Sequence, residues 1–267
     1  MTNRIQRFIA FLLVLCIPIF AIAGCTNNDV ANAANQVTTN ANGAYSIDTK
    51  TTTPEGKLDV YMLDIGQGDA ILLKVDDEYS MIDTGDIEHR ENIVAQLKTM
   101  GVTKLKNIII THPHADHMGG FYAIAKAMPI EHVYDDGIAV DNNMYKTYEK
   151  WIEKNKIQRT TLRSGDVVDF GHGAVFVVYA PWVEPLTDKK GETDLNNNSI
   201  VGKLIFGKFS MLFTGDAEWQ EEKKLIKEQN SRLFARILKV GHHGSRTSSS
   251  EDFLKSIKPE SALISNG

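Results

Sequence analysis

The stretch Thr111-His112-Pro113-His114-Ala115-Asp116-His117-Met118-Gly119-Gly120 sets three histidines and an aspartate within six positions, directly after the run Asn107-Ile108-Ile109-Ile110. A β-branched run that ends in such a cluster reads as a buried strand whose tip becomes a metal site. Imidazole nitrogen and carboxylate oxygen are the donors that Zn²⁺, and less selectively Mn²⁺ or Fe²⁺, take. His112 and His114 are two apart, so in extended backbone they project to one side. Asp116 and His117 follow where the chain should turn into a helix, and can serve a second metal nearby. A lone histidine is usually solvated or packed in a core, but that reading accounts poorly for four ligand-type side chains this close together. Gly119-Gly120 fits either a tight junction between elements or a close approach of backbone N–H groups to an anion such as phosphate.

The surrounding pattern alternates strand and helix. Leu58–Ile65 and Ala70–Val75 read as strands joined through the turn Gly66-Gln67-Gly68-Asp69, and a third strand, Tyr79–Asp83, ends at Thr84-Gly85-Asp86. Residues 88–100 have helical spacing at Ile93, Leu97 and Met100, with Gly101 as the stop. Helices are also expected over residues 121–128 and 144–154, with a short strand over 131–134 between them. In the second half, β structure is expected around Val167-Val168 and Val175–Val178, followed by a polar loop over 181–198. A hairpin over 199–213 turns at Gly207-Lys208, a helix covers 218–228, and a buried strand over 236–240 leads into Gly241-His242-His243-Gly244-Ser245. A last helix over 252–257 precedes a strand at Ser261–Ser265. Such alternation argues for a layered α/β domain.

The N-terminal part has a different texture. Arg4 and Arg7 precede the nearly continuous apolar run Phe8–Phe20, and Ile22-Ala23-Gly24-Cys25 places small residues before a cysteine. The run is short for a spanning helix, which needs about 20 residues. It resembles a bacterial lipoprotein signal, cleaved after Gly24 with diacylglycerol on Cys25; an ordinary secretory peptide or an uncleaved anchor are the other readings. The expected organisation is therefore a signal peptide over 1–25, an Asn/Thr/Ala-rich flexible tether over 26–56, and a catalytic domain over 57–267. Membrane attachment would be through lipid on the extracellular face. With Cys16 lost and Cys25 lipidated, no cysteine is left in the domain, which excludes thiolate catalysis and cysteine ligands. Loss of the leader removes two arginines and no acid from a chain of formal net charge −5, so a general nucleic-acid binder is not indicated. Lys203, Lys208, Arg232, Arg236, Lys239 and Arg246 form either a local basic patch or, the favoured reading, ordinary solvated faces.

Ligand-type residues thus stand at several strand ends: His112 to His117, Asp216, His242-His243 and Asp83. This pattern resembles the metallo-β-lactamase fold superfamily, and the H-x-H-x-D-H signature is specific to it. More narrowly, Leu63-Asp64-Ile65-Gly66-Gln67-Gly68-Asp69-Ala70, Asn196-Asn197-Asn198-Ser199, Leu212-Phe213-Thr214-Gly215-Asp216 and Lys239–Ser245 are similar to the hydrolase domain of ComEC-type DNA-internalisation competence proteins. The resemblance implies an α/β, four-layer αββα sandwich and a site for two divalent metal ions, with Zn²⁺ favoured and Mn²⁺ the other candidate. Carried over residue by residue, it implies His112 and His114 at the first metal and Asp116 and His117 at the second. Asp216 would bridge, and His242, with His243 as the alternative, would complete the second site. Asp83 matches an aspartate that orients a ligand or water. The further histidine that most of the superfamily supplies to the first metal has no counterpart in the expected loop, which carries Asp194 and Asn196–Asn198; a first ion that is either oxygen-rich in its donors or weakly held is expected. His89, His132 and His172 read as ordinary residues. Similar domains continue beyond the strand at Ser261–Ser265, so the fold is expected to lack its last C-terminal elements.

The expected function is metal-dependent hydrolysis, with two ions lowering the pKa of a bridging water to give hydroxide. Asp116, Asp216, His243 and Asp83 are the residues expected to take part, and His243 or Ser245 could contact substrate. The resemblance implies phosphodiesters such as DNA as substrate. The alternatives are another ester, such as a phosphorylcholine or lactone substrate, or a non-catalytic binding lipoprotein that keeps the fold.

Overall fold

The computed structural model describes Pro54 and residues 56–267, together with the backbone of a two-stranded antiparallel ribbon, β1 (Val37–Thr39) and β2 (Tyr45–Ile47). The expected signal peptide, and the expected tether apart from that ribbon, Pro54 and Gly56, lie outside the described residues. No helix among the described residues is long and apolar enough to cross a membrane.

Two six-stranded sheets carry the fold. The first is hydrogen-bonded in the order β3 (Leu58–Met62), β4 (Ala70–Val75), β5 (Glu78–Thr84), β6 (Leu105–Ile109), β7 (Ile130–Asp135) and β8 (Gln158–Thr161). Strands β3 to β5 are antiparallel, as their short turns allow, whereas β5 to β8 run parallel. Helices make the parallel crossovers: α1 (Arg90–Thr99), the pair α2 (Ala115–Met118) and α3 (Phe121–Ala127), and α4 (Asn143–Asn155). The second sheet follows the same plan. Strands β9 (Val167–Gly171), β10 (Ala174–Ala180), β11 (Val201–Phe206) and β12 (Phe209–Phe213) are antiparallel, and β13 (Ile237–Lys239) and β14 (Ser261–Leu263) add in parallel after α5 (Trp219–Gln229) and α6 (Glu251–Ile257).

Alternation along the central strands sets the layers. In β4, Ile71, Leu73 and Val75 face the second sheet, while Ala70 and Leu72 face α1, α3 and α4. In β10, Ala174, Phe176 and Val178 face the first sheet, while Val177, Tyr179 and Ala180 join the core beneath α5 and α6. Three cores separate four layers, α/β/β/α, as the family resemblance implied. Each aliphatic side chain so buried contributes about 1.5–3 kcal/mol. Strand β14 is the exposed edge of the second sheet among the described residues.

The parallel strands matter most for function. β5, β6, β12 and β13 all end at one edge of the sandwich, where their backbones leave the sheet and bring polar side chains, most of them buried, towards one another. Asp83, the His112–His117 stretch, Asp216 and the His242-His243 pair are therefore brought together by topology, from positions up to 160 residues apart in the chain.

Candidate metal centre

The base of the site is built by Asp83 at the end of β5. Its Oδ1 accepts the Thr111 N–H at 2.7 Å, and its Oδ2 accepts the Thr111 hydroxyl at 2.8 Å and lies 2.8 Å from His117 Nδ1. Asp83 is fully buried with φ +57°, a left-handed conformation that Asp and Asn tolerate better than other side-chain-bearing residues. With Nδ1–H of His117 donated to Asp83, Nε2 is aimed outward. There it lies 3.2 Å from Asp216 Oδ1 and 4.0 Å from Asp116 Oδ2.

His243 completes this group. Its Nδ1 lies 3.0 Å from the Ser265 carbonyl, an acceptor only, so Nδ1 carries the proton and Nε2 faces inward. Nε2 is 3.3 Å from Asp116 Oδ2 and 3.6 Å from Asp216 Oδ1. His117 Nε2, His243 Nε2 and Asp216 Oδ1 are all buried without a hydrogen-bond partner. Buried polar atoms in folded proteins almost always have a partner, and three such atoms facing one another fit a bound cation. Asp116, His117, Asp216 and His243 thus form one four-donor group.

A second group adjoins it. His112 Nε2 lies 3.0 Å from His114 Nδ1 and 3.7 Å from Asp216 Oδ2, so His112, His114 and Asp216 could hold a further ion. Asp216 is common to both groups, and Ser199 Oγ accepts its backbone N–H at 3.0 Å. Of the two neighbours that spacing could not separate, the structure sets His243 beside Asp116 and His117. His242 Nε2 instead lies 3.8 Å from the other oxygen of Asp216, Oδ2.

Charges in the cluster are tightly linked. Burial, followed by the nearby His117, pushes His112 well below its ordinary pKa, and burial lowers His114, so both rings are neutral donors. Burial also opposes a charge on His117, but Asp216 and Asp83 outweigh it and raise its pKa well above the ordinary value. For Asp216, burial opposes ionisation, yet His117, His112 and Lys239 hold its carboxyl far below the usual carboxylate range. Asp116 is likewise held low, with burial outweighed by His243 and His117.

Three contributors were not legible as such. Asp69, in the turn before β4, lies 3.8 Å from His117 Nδ1 and is 1% exposed. It pairs with the ammonium of Lys239 and accepts the Ser265 hydroxyl. Lys239 is buried, so it belongs to no surface basic patch, and Lys203 is turned onto the carbonyls of Arg232 and Phe234. The signal for Lys239 was a lysine inside the apolar run Ile237–Val240, since a fully buried lysine requires a partner. Glu218, before α5, lies 3.0 Å from His242 Nδ1.

The glycine pair is structural. A Cβ on Gly120 would stand 2.0 Å from the Thr84 carbonyl oxygen, and one on Gly119 would meet Ala115 O and Ile87 N at 2.4 Å. Their N–H groups donate to Gly85 and Ala115 carbonyls at 3.1 and 2.8 Å. The close approach of α2 and α3 to β5 is what requires glycine, and the N–H groups are not free for an anion. His132 stacks on Tyr134 and contacts Thr160, His172 lies by Asp76, and His89 lies at the start of α1; all three are outside the cluster, as expected.

Residues 63–267 match the model of the metallo-beta-lactamase superfamily. The competence protein ComA of Neisseria gonorrhoeae is 29% identical over 215 residues, covering 80% of this chain and 28% of the relative. The ComE operon protein 3 of Bacillus subtilis is 28% identical over 232 residues, again 80% of this chain and 28% of the relative. The chain therefore spans well under a third of the length of these curated relatives. Among solved structures, the metallo-beta-lactamase fold protein YhfI from Bacillus subtilis superposes with a TM-score of 0.53 at 11% identity, over 78% of this chain and 86% of that one, a likeness of fold. With the family model covering most of the sequence and the layers and donor cluster both in place, the chain belongs to the metallo-beta-lactamase superfamily.

Proposed function

We propose that this chain is a metal-dependent hydrolase of phosphodiesters, tethered by lipid on Cys25 to the outer face of a bacterial membrane. The observation that carries the hydrolase reading is the convergence of His117 Nε2, His243 Nε2 and Asp216 Oδ1, buried and unpartnered, beside His112 and His114. Two divalent ions held there would lower the pKa of water and offset the charge that develops on the reacting ester. His112, His114 and Asp216 would hold one ion, and Asp116, His117, His243 and Asp216 the other. Asp216 uses one oxygen towards each group and so sets their separation. Asp83 and the Ser265 carbonyl keep the Nδ1 protons of His117 and His243 away from the reacting side. Asp116 is the partly exposed acid of the cluster, at 28% of its side chain, so the ester would approach from its side. The choice of phosphodiester, with DNA favoured, rests on the similarity to competence proteins.

Metal analysis of the purified protein followed by hydrolysis of single-stranded DNA and bis(p-nitrophenyl) phosphate tests this reading. Zn²⁺ or Mn²⁺ should support turnover, and Asp116→Ala should lower it at least about a hundredfold, the scale of a single group that stabilises transition-state charge. Unchanged turnover in metal-loaded Asp116→Ala would refute the catalytic assignment. Cleavage of a lactone without any phosphodiester cleavage would move the substrate class, and cleavage of a phosphorylcholine ester without cleavage of DNA would move the substrate within the phosphodiesters. Incorporation of labelled palmitate that is abolished by Cys25→Ala tests the tether.

A further inference from the structure

We infer that His242 is the fourth donor of the first metal position, joining His112, His114 and Asp216, and that Glu218 is the positioning residue that aims it. The inference rests on the binuclear reading above and deepens it. One group offers four donors, Asp116, His117, Asp216 and His243, whereas the other offers three. Three suffice for a catalytic Zn²⁺-type ion that keeps a position open to water, and a fourth would hold it more firmly. The missing donor is sought among the nitrogens that already face the shared carboxylate.

The imidazoles divide between the two oxygens of Asp216. His117 and His243 address Oδ1, at 3.2 and 3.6 Å. His112 and His242 address Oδ2, at 3.7 and 3.8 Å. His242 therefore stands on the side of the first group although it adjoins His243 in the chain. Adjacent side chains in extended backbone diverge; here both residues are left-handed, with φ 46° and ψ 48° at His242 and φ 52° and ψ 27° at His243. That double turn sends two neighbouring Nε2 atoms to opposite oxygens of one carboxylate.

The other ring nitrogen of His242 is set up as a ligand's would be. Nδ1 lies 3.0 Å from Glu218 Oε1, and a carboxylate on one ring nitrogen leaves the lone pair on the other and makes it a better donor. Glu218 is itself held: the Thr247 hydroxyl donates to Oε1 at 2.6 Å, and Asn197 Nδ2 lies 3.5 Å from Oε2. Asn197 Oδ1 in turn accepts the Glu221 N–H at 3.0 Å, which fixes the asparagine loop to the first turn of α5. The loop that offers no histidine of its own thus braces the acid that orients one.

The test is ion counting on the full chain, reconstituted with Zn²⁺ and separately with Co²⁺. The wild type should bind two ions. His242→Ala should keep one tightly held ion and lose the other, or bind it about 100-fold more weakly, with a matching loss of Co²⁺ visible absorption. His132→Ala, outside the cluster, should keep both. Glu218→Ala should weaken one ion about 10–100-fold, and Glu218→Gln, whose amide oxygen can still accept the Nδ1 proton, should restore most of it. The side chain of His242 is 29% exposed, so its truncation opens no core cavity, and matching urea unfolding of the metal-free proteins would confirm an intact fold. Two ions bound with unchanged affinities by His242→Ala would overturn the assignment of His242 and leave the binuclear reading standing. A wild type that binds no ion would overturn the binuclear reading itself.

Discussion

Lys239 and Asp69 form an ion pair with each side chain about 1% exposed, directly behind the donor cluster. The pair joins the end of β13 to the turn before β4, and so ties the second sheet to the first. Lys239 also donates to the Gly215 carbonyl at 3.3 Å, next to the bridging Asp216. Asp69 donates its own N–H to the Asp116 carbonyl at 3.0 Å. One buried contact therefore touches the strand ends that carry Asp116, Asp216 and His243.

Removing one member should be far worse than removing both. Lys239→Met leaves the Asp69 carboxylate buried and unpaired, and breaking a buried pair from one side costs about 3–5 kcal/mol. Urea unfolding of the metal-free protein should show that loss for Lys239→Met, and the double variant Asp69→Asn with Lys239→Met should recover most of it. A single variant as stable as the wild type would mean that the pair is not what holds the sheets in register at this edge.

Gly120→Ala should damage the fold through contact with the backbone of Thr84. The added Cβ would stand 2.0 Å from Thr84 O, a backbone atom that cannot turn aside, so α3 must move off β5. Overpacking of this kind costs about 1–3 kcal/mol. Thermal denaturation should show the loss, and ion affinity should fall with it because Asp116 and His117 ride on α2 immediately before. Retention of both stability and affinity would show that the junction yields.

What the sequence displayed of this site depended on how locally each part was specified. His112, His114, Asp116 and His117 sit on one strand tip and the turn after it, so their spacing alone announced a site. Strands such as β4, apolar at nearly every position, were equally plain. β8, Gln158-Arg159-Thr160-Thr161, was not read as a strand, because its side chains are polar and largely exposed and its place is set by parallel pairing with β7. His242 and His243 could not be told apart, since two consecutive left-handed residues cost about 1–2 kcal/mol each and are imposed by surrounding packing that spacing does not reveal. Glu218 looked like any acid near a helix start, where negative charge is favoured regardless of function.

Ion binding should be strongly pH-dependent, with a sign set by His117. Burial acts against its charge, but Asp216 and Asp83 raise its pKa well above 6.5, so the metal-free protein keeps a proton on Nε2 at neutral pH. The folded value is raised, so this charged ring's contribution to metal-free stability is fully present below 6.5 and fades as pH rises through the raised value. Binding runs the other way: an entering ion displaces the proton, and affinity climbs with pH until His117 is deprotonated. Calorimetry in buffers of different ionisation enthalpy should register release of about one proton for the ion that His117 holds. Affinity independent of pH would contradict the assignment of His117 as a ligand.

Asp83→Asn separates orientation from backbone strain. Asparagine tolerates the φ of +57° at this position, so the fold should survive a change that alanine would confound with strain. The amide offers one acceptor oxygen where the carboxylate offers two, and Asp83 serves three donors: Thr111 N–H, Thr111 Oγ1 and His117 Nδ1. One of them must face the amide NH₂ instead. The backbone N–H has no freedom to turn away and keeps the oxygen, so His117 loses its negative partner and its orientation is loosened. Affinity for the ion at His117 should fall about 10–100-fold, as when a partner behind a ligand is removed. The other ion, at the first position beside His112 and His114, should be much less affected. Because Asp83 also helps raise the pKa of His117, the pH dependence of binding should shift to lower pH in the same variant. A fall in affinity without that shift would mean that Asp83 acts on position alone, and neither effect would mean that Thr111, not His117, is the group it serves.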